Sequence, residues 1–145
     1  MERQAGWASP PSGQRQAACA LLIGHGQFAT GVYHALRLIV GEVGDLEIAS
    51  TEGKARSDIE QLISDARARS GGRPLIVFTD LQGGCSSTIC GSLLRECATV
   101  AIVAGANLPM LLKFVQYRDQ LPFRELYDLV VEAGRDGVRG LKEPG

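Results

Sequence analysis

Three stretches of this chain are apolar at nearly every position: Ala17-Ala-Cys-Ala-Leu-Leu-Ile23, Pro74-Leu-Ile-Val-Phe-Thr79 and Val100-Ala-Ile-Val-Ala104. Unbroken apolar runs of this length, bounded by glycine or polar residues, belong to parallel strands covered on both faces. Leu46 to Ala49 is a weaker candidate of the same kind. Between the runs the period changes. Phe28 to Val40 carries Val32, Leu36, Ile39 and Val40 at helical spacing and stops at Gly41. Ser57-Asp58-Ile59-Glu60 reads as a capping box opening a helix whose buried stripe is Ile59, Leu62, Ile63 and Ala66.

From Gly84 onward the small polar residues Cys85, Ser86, Ser87 and Thr88 suit a helix N-terminus, and Ile89, Leu93 and Leu94 give that helix an apolar side. Leu108 to Tyr117 is a helix with Pro109 in its first turn. The last helix is expected from Pro122 to about Ala133, ended by Gly134. Strand and helix thus alternate, which predicts an α/β fold: a doubly wound, mainly parallel sheet of four strands flanked by helices. Residues 135 to 141 are too short and too polar for a further unit. The domain division that follows is a flexible extension over 1–16, one folded domain over 17–141 and a tail over 142–145.

Composition narrows the function by exclusion. With 15 basic against 16 acidic residues in 145, the chain has no electrostatic footprint for nucleic acid. Its longest apolar stretches fall far short of the roughly 20 residues of a spanning helix. Residues 1 to 16 lack the apolar core of a signal peptide. Cys19, Cys85, Cys90 and Cys97 form neither a C-x-x-C pair nor a disulfide framework, which favours reduced thiols in the cytoplasm.

The chemistry concentrates at two strand ends. Gly24-His25-Gly26 follows the run ending at Ile23, and Asp80-Leu81-Gln82-Gly83-Gly84 follows the run ending at Thr79. Open α/β sheets gather reacting groups on that rim. An imidazole there is a nucleophile near neutral pH, a carboxylate can fix its tautomer, and Gly83 and Gly84 would let backbone N–H groups approach an anion. Together these parts suit a phosphoryl group carried on His25. Blander readings stand beside this one, with His25 a solvated loop residue and Asp80 a turn former. Cys85 could instead act as a thiolate with His25 as base. A zinc site from Cys85, Cys90 and Cys97 fails on spacing. His34, on the polar side of its helix, reads as structural.

At these residues the chain resembles the mannose-type IIA domain of the bacterial sugar phosphotransferase system. The resemblance runs from Ala17 to about Leu141. It rests on the Gly24-His25-Gly26 junction, Gly41-Glu42, Asp80-Leu81-Gln82-Gly83-Gly84 and Gly105-Ala106-Asn107-Leu108-Pro109-Met110. It implies that His25 accepts a phosphoryl group from the phosphohistidine protein HPr and passes it to a separate IIB protein, and that Asp80 orients the ring. It also implies that Gly83, Gly84, Cys85 and Ser86 contact the phosphate, with Gln27, Gln82 and Asn107 as partner-docking candidates. No metal or cofactor is implied. The family forms homodimers that exchange a short last strand, a role open to residues 135 to 141, and associates with membrane permease complexes without inserting.

Two features depart from the family pattern: Cys85-Ser86 stands where Ser-Pro is usual, and Gln82 where an apolar residue is common. The alternatives are a regulatory phospho-switch binding a transcription factor or kinase, and the phosphocarrier subunit of dihydroxyacetone kinase. In the latter, serine typically follows the histidine, whereas Gly26 does here.

Overall fold

The computed structural model describes residues 16–81 and 98–145. Its elements are β1 (Cys19–Gly24), α1 (Phe28–Val40), β2 (Leu46–Ser50), α2 (Arg56–Arg69), β3 (Leu75–Thr79), β4 (Val100–Ala104), α3 (Leu108–Tyr117) and α4 (Phe123–Asp136). The four strands form one parallel sheet in the order β2-β1-β3-β4. Strand order runs outward from β1 in both directions, so the topological switch lies between β1 and β3.

The apolar runs are continuous because alternate residues face different layers. Ala20, Leu22, Ile76 and Phe78 pack under α1, α3 and α4 with Leu36, Leu111, Phe114 and Leu126. Phe78 meets Phe114 edge to face at 5.5 Å. On the other side Leu21, Ile23, Leu75 and Val77 pack with Ile59, Ile63 and Ala66 of α2. The doubly wound sheet is therefore as the sequence predicts. The helix expected from Gly84, and the extension up to residue 15, lie outside the described residues.

Two element ends and one helix face differ from expectation. Helix α2 begins at Arg56, not at Ser57-Asp58: Asp58 sits at the third helical position and its carboxylate accepts the Ala55 N–H at 3.0 Å. Half of a capping box suffices there, because Ala55 has no side chain to cap with. In α1 the buried residues are Ala29 and Leu36, with Val32 and Tyr33 packed against the core. Ile39 is 57% exposed and Val40 is also exposed. Strand β2 is a sheet edge, and nothing among the described residues extends beyond it to cover that last turn.

Helix α4 continues through Gly134 to Asp136. Gly134 is a packing residue rather than a stop: a Cβ there would lie 2.4 Å from Met110 Cε, so its absence lets α4 approach α3 closely. Arg135 and Asp136 accordingly belong to the helix. Beyond it Val138 and Leu141 are 78% and 94% exposed.

The end of the sheet opposite the strand C-termini is closed by charge. Asp45, in the left-handed conformation at φ 59°, precedes β2. Arg73 grips its carboxylate with two bonds of 3.0 and 3.1 Å, and Arg118 adds one of 3.0 Å while also donating to the Ala18 carbonyl at 2.9 Å. One carboxylate thus ties the approaches to β1, β2 and β3 to the end of α3. The Arg73 hydrogen bonds hold the Asp45 carboxyl below its ordinary range, against the opposing effect of burial and with Arg118 assisting. A depressed folded-state pKa contributes stability that is full above the unfolded value and is lost as pH falls through the folded one. Asp45→Asn, which tolerates the same backbone conformation, should lose about 1–2 kcal/mol at neutral pH. Its urea midpoint should then fall less than that of the unmodified chain between about pH 5 and pH 3.

Candidate functional site

Register brings the two motifs together. Ile23 pairs with Thr79, so Gly24 and Asp80 leave adjacent strands side by side at the switch point. The Asp80 Oδ2 atom accepts the His25 backbone N–H at 2.8 Å and lies 2.8 Å from the ring Nδ1. Its other oxygen accepts the Leu81 N–H at 3.0 Å. An ionised carboxylate only accepts hydrogen bonds, so Nδ1 carries the proton and Nε2 keeps its lone pair. The exposures match this division, with the Asp80 side chain 10% and the His25 side chain 67% accessible.

Burial pushes the Asp80 carboxyl up. The backbone and ring N–H groups of His25, with the Leu81 N–H, outweigh that effect and leave it below the usual carboxylate range. It is therefore ionised throughout the neutral range.

The two glycines beside His25 have separate tasks. Gly26, at φ 51°, turns the chain so that the His25 carbonyl accepts the Phe28 N–H at 3.0 Å and α1 begins. Gly24 makes room for the carboxylate: a Cβ there would lie 3.0 Å from both Asp80 Cγ and Oδ2, and 2.9 Å from Phe28 Cδ2. Neither task is visible in the sequence, and neither is the part played by Thr51. That residue holds the Gly24 carbonyl through its N–H at 2.9 Å and its hydroxyl at 3.4 Å. Only strand register, invisible along a single chain, points to Thr51.

The remaining candidates separate. Gln27 is exposed at the N-cap of α1, close to the rim. Asn107, expected as a docking residue, uses both ends of its amide inside the chain: the oxygen accepts the Met110 N–H at 3.2 Å and the NH₂ donates to the Gly134 carbonyl at 2.9 Å. His34 lies exposed on α1 and takes no part in the His25–Asp80 pair. Gln82, Gly83, Gly84, Cys85 and Ser86 lie outside the described residues, as do Cys90 and Cys97. Cys19 is buried in β1, and burial raises its thiol pKa. Among the described residues no three His, Cys, Asp or Glu side chains group as metal ligands, and no helix is long and apolar enough to cross a membrane.

Fold and rim define an open parallel α/β protein that presents a carboxylate-held imidazole at its topological switch. A family model described as the PTS system fructose IIA component matches residues 20–131. The chain belongs to this mannose-type IIA family of the phosphotransferase system. It is 30% identical over 128 residues to the PTS system mannose-specific EIIAB component of Escherichia coli (strain K12), covering 85% of this chain and 39% of that protein. The chain therefore spans about two fifths of the length of the curated relatives it matches.

Two crystal or solved structures share the fold. Component EIIA from Streptococcus agalactiae superposes with a TM-score of 0.79 at 23% identity, covering 85% of this chain and 96% of that one. The mannose/sorbose specific IIA subunit from Enterococcus faecalis gives 0.74 at 23% identity, covering 90% and 98%.

Because Gly24 leaves no space for a methyl group, Gly24→Ala should displace Asp80 from His25 and cost about 1–3 kcal/mol. The check is the ring's Nδ1 proton signal in NMR, which should lose its strong hydrogen-bond shift while the backbone spectrum stays that of a folded protein.

Proposed function

We propose that this chain is a phosphocarrier that receives a phosphoryl group on His25 Nε2 and hands it to a second protein. The observation that supports it best is the 2.8 Å contact between His25 Nδ1 and Asp80. It leaves Nε2 as the nucleophile and Nδ1 as a proton holder. In the transfer, the Nε2 lone pair attacks phosphorus while the donor's N–P bond breaks and its electron pair stays on the donor ring. The His25 ring becomes cationic as it is phosphorylated, and the Asp80 carboxylate offsets that charge.

Family membership supplies the partners. HPr is the proposed donor and a IIB domain the proposed acceptor, in sugar uptake in the cytoplasm. Gly83, Gly84, Cys85 and Ser86 are the proposed phosphate contacts, with Gln27 and Gln82 on the docking surface. A homodimer is also proposed. Among the described residues strand β4 is a sheet edge, and a groove of about 510 Å³ beside it is lined by Ile102, Ala104, Tyr127, Val131 and Val138 among others. The exposed segment after α4, with Val138 and Leu141, is of the right kind to pair with that edge in a second copy.

Incubation with phosphoenolpyruvate, the first enzyme of the system and HPr should add one phosphoryl group, seen by intact mass. His25→Ala should abolish the adduct and His34→Ala should leave it; the reverse result would sink the assignment. Asp80→Asn should fold and yet transfer roughly 10- to 100-fold more slowly, the size expected from losing one charged hydrogen bond of roughly 1.5–3 kcal/mol. Light scattering should give a dimer for the full chain and a monomer or aggregate once residues 138–145 are removed. An unaffected dimer would rule out strand exchange.

A further inference from the structure

The connection from β2 to α2 is pinned beside the His25 turn. Thr51 N–H donates to the Gly24 carbonyl at 2.9 Å, Glu52 N–H to Ser50 Oγ at 3.0 Å, and Lys54 N–H to the Thr51 carbonyl at 3.1 Å. Gly53, at φ 71°, completes the turn. These bonds set Glu52 against the residue that follows His25: its Oε1 lies 3.9 Å from where a Cβ on Gly26 would stand. Among the described residues the Glu52 carboxylate has no hydrogen-bond or ion-pair partner. It is an exposed, uncompensated negative charge on the rim. Asp80, by contrast, is matched by three N–H groups, those of the His25 backbone and ring and of Leu81.

We propose that Glu52 sets the phosphoryl-transfer potential of His25, its carboxylate raising the energy of the phosphorylated ring relative to the free one. This inference rests on the phosphocarrier reading given above. Adding one Cα–Cβ bond and one Cα–Cα step, about 1.5 and 3.8 Å, to the observed separation keeps the carboxylate within about 9 Å of the His25 Cα. That is about one Debye length at physiological salt, so the repulsion is only partly screened. The phosphoryl group brings close to two negative charges and the ring gains one positive, so phosphorylation adds about one net negative charge, and the repulsion is relieved when the N–P bond breaks and the group leaves for the acceptor. At the dielectric of bulk water, one net charge at about 9 Å gives a bias of about twofold toward the unphosphorylated chain. A carrier has to release its cargo as readily as it takes it up, and a fixed charge beside the ring favours release without touching the nucleophile.

Phospho-HPr, freed of the first enzyme, is mixed with the chain, and the phosphorylated fraction at equilibrium is read by intact mass. Glu52→Gln should retain about twofold more phosphoryl group than the unmodified chain at low salt. The difference should shrink at about 0.5 M salt, because the interaction is screened there. Glu52→Asp, which keeps the charge, should behave like the unmodified chain. A Glu52→Gln equilibrium equal to that of the unmodified chain at low salt overturns this proposal alone, and so does a shift shared by Glu52→Asp and insensitive to salt. An unmodified chain that takes up no phosphoryl group overturns the phosphocarrier reading as well.

Discussion

The Asp80 carboxylate crosses from the end of one strand to the end of its neighbour, and the arrangement of the rim follows from the room it needs. It can reach the His25 backbone and ring together only because β1 and β3 run parallel and adjacent, with Ile23 and Thr79 in register. It fits only because residue 24 has no side chain. Once seated, it fixes the ring's tautomer and its orientation through two contacts to one oxygen. An exposed histidine on a turn would otherwise sample both tautomers and several rotamers. A single carboxylate, mostly shielded from solvent, holds it in one orientation.

The two ends of the sheet divide the work. At the strand N-termini, Asp45 pairs with both Arg73 and Arg118 and joins elements that are distant in sequence. At the strand C-termini, Asp80 is satisfied while the imidazole edge beside it stays open to solvent. The first arrangement suits stability and the second suits chemistry. Both use one carboxylate against several donors, so the contrast lies in what is left exposed.

Much of this was legible in the sequence because burial leaves a direct trace. Runs such as Leu75–Thr79 are apolar throughout, for each face of the sheet is covered, and the polar residue ending the run marks the rim. His25 and Asp80 could be placed on that rim by position alone. What could not be read were relations between strands. The need for Gly24 comes from Asp80, and the hold on Gly24 comes from Thr51, each a neighbour only after the sheet has formed. Gly134 misled for a related reason. A glycine near a helix end signals a stop in sequence, whereas here it is a contact surface for Met110. The exposed end of α1 shows the converse, since a periodic stripe predicts a face but not whether anything lies opposite it.

One chain of bonds links the rim to the last helix. The Thr79 carbonyl, next to Asp80, accepts the Ala106 N–H at 2.9 Å, and the following residue, Asn107, reaches the Gly134 carbonyl near the end of α4. In mechanical terms this is a short strut: strand end, turn, amide and helix move as one piece, with no slack segment between them. Strain applied at the C-terminal helix, as by any body seated in the groove beside β4, is delivered next to the carboxylate that aims the histidine. The strut therefore runs without a break from that distant edge to the residue beside the one that holds the ring.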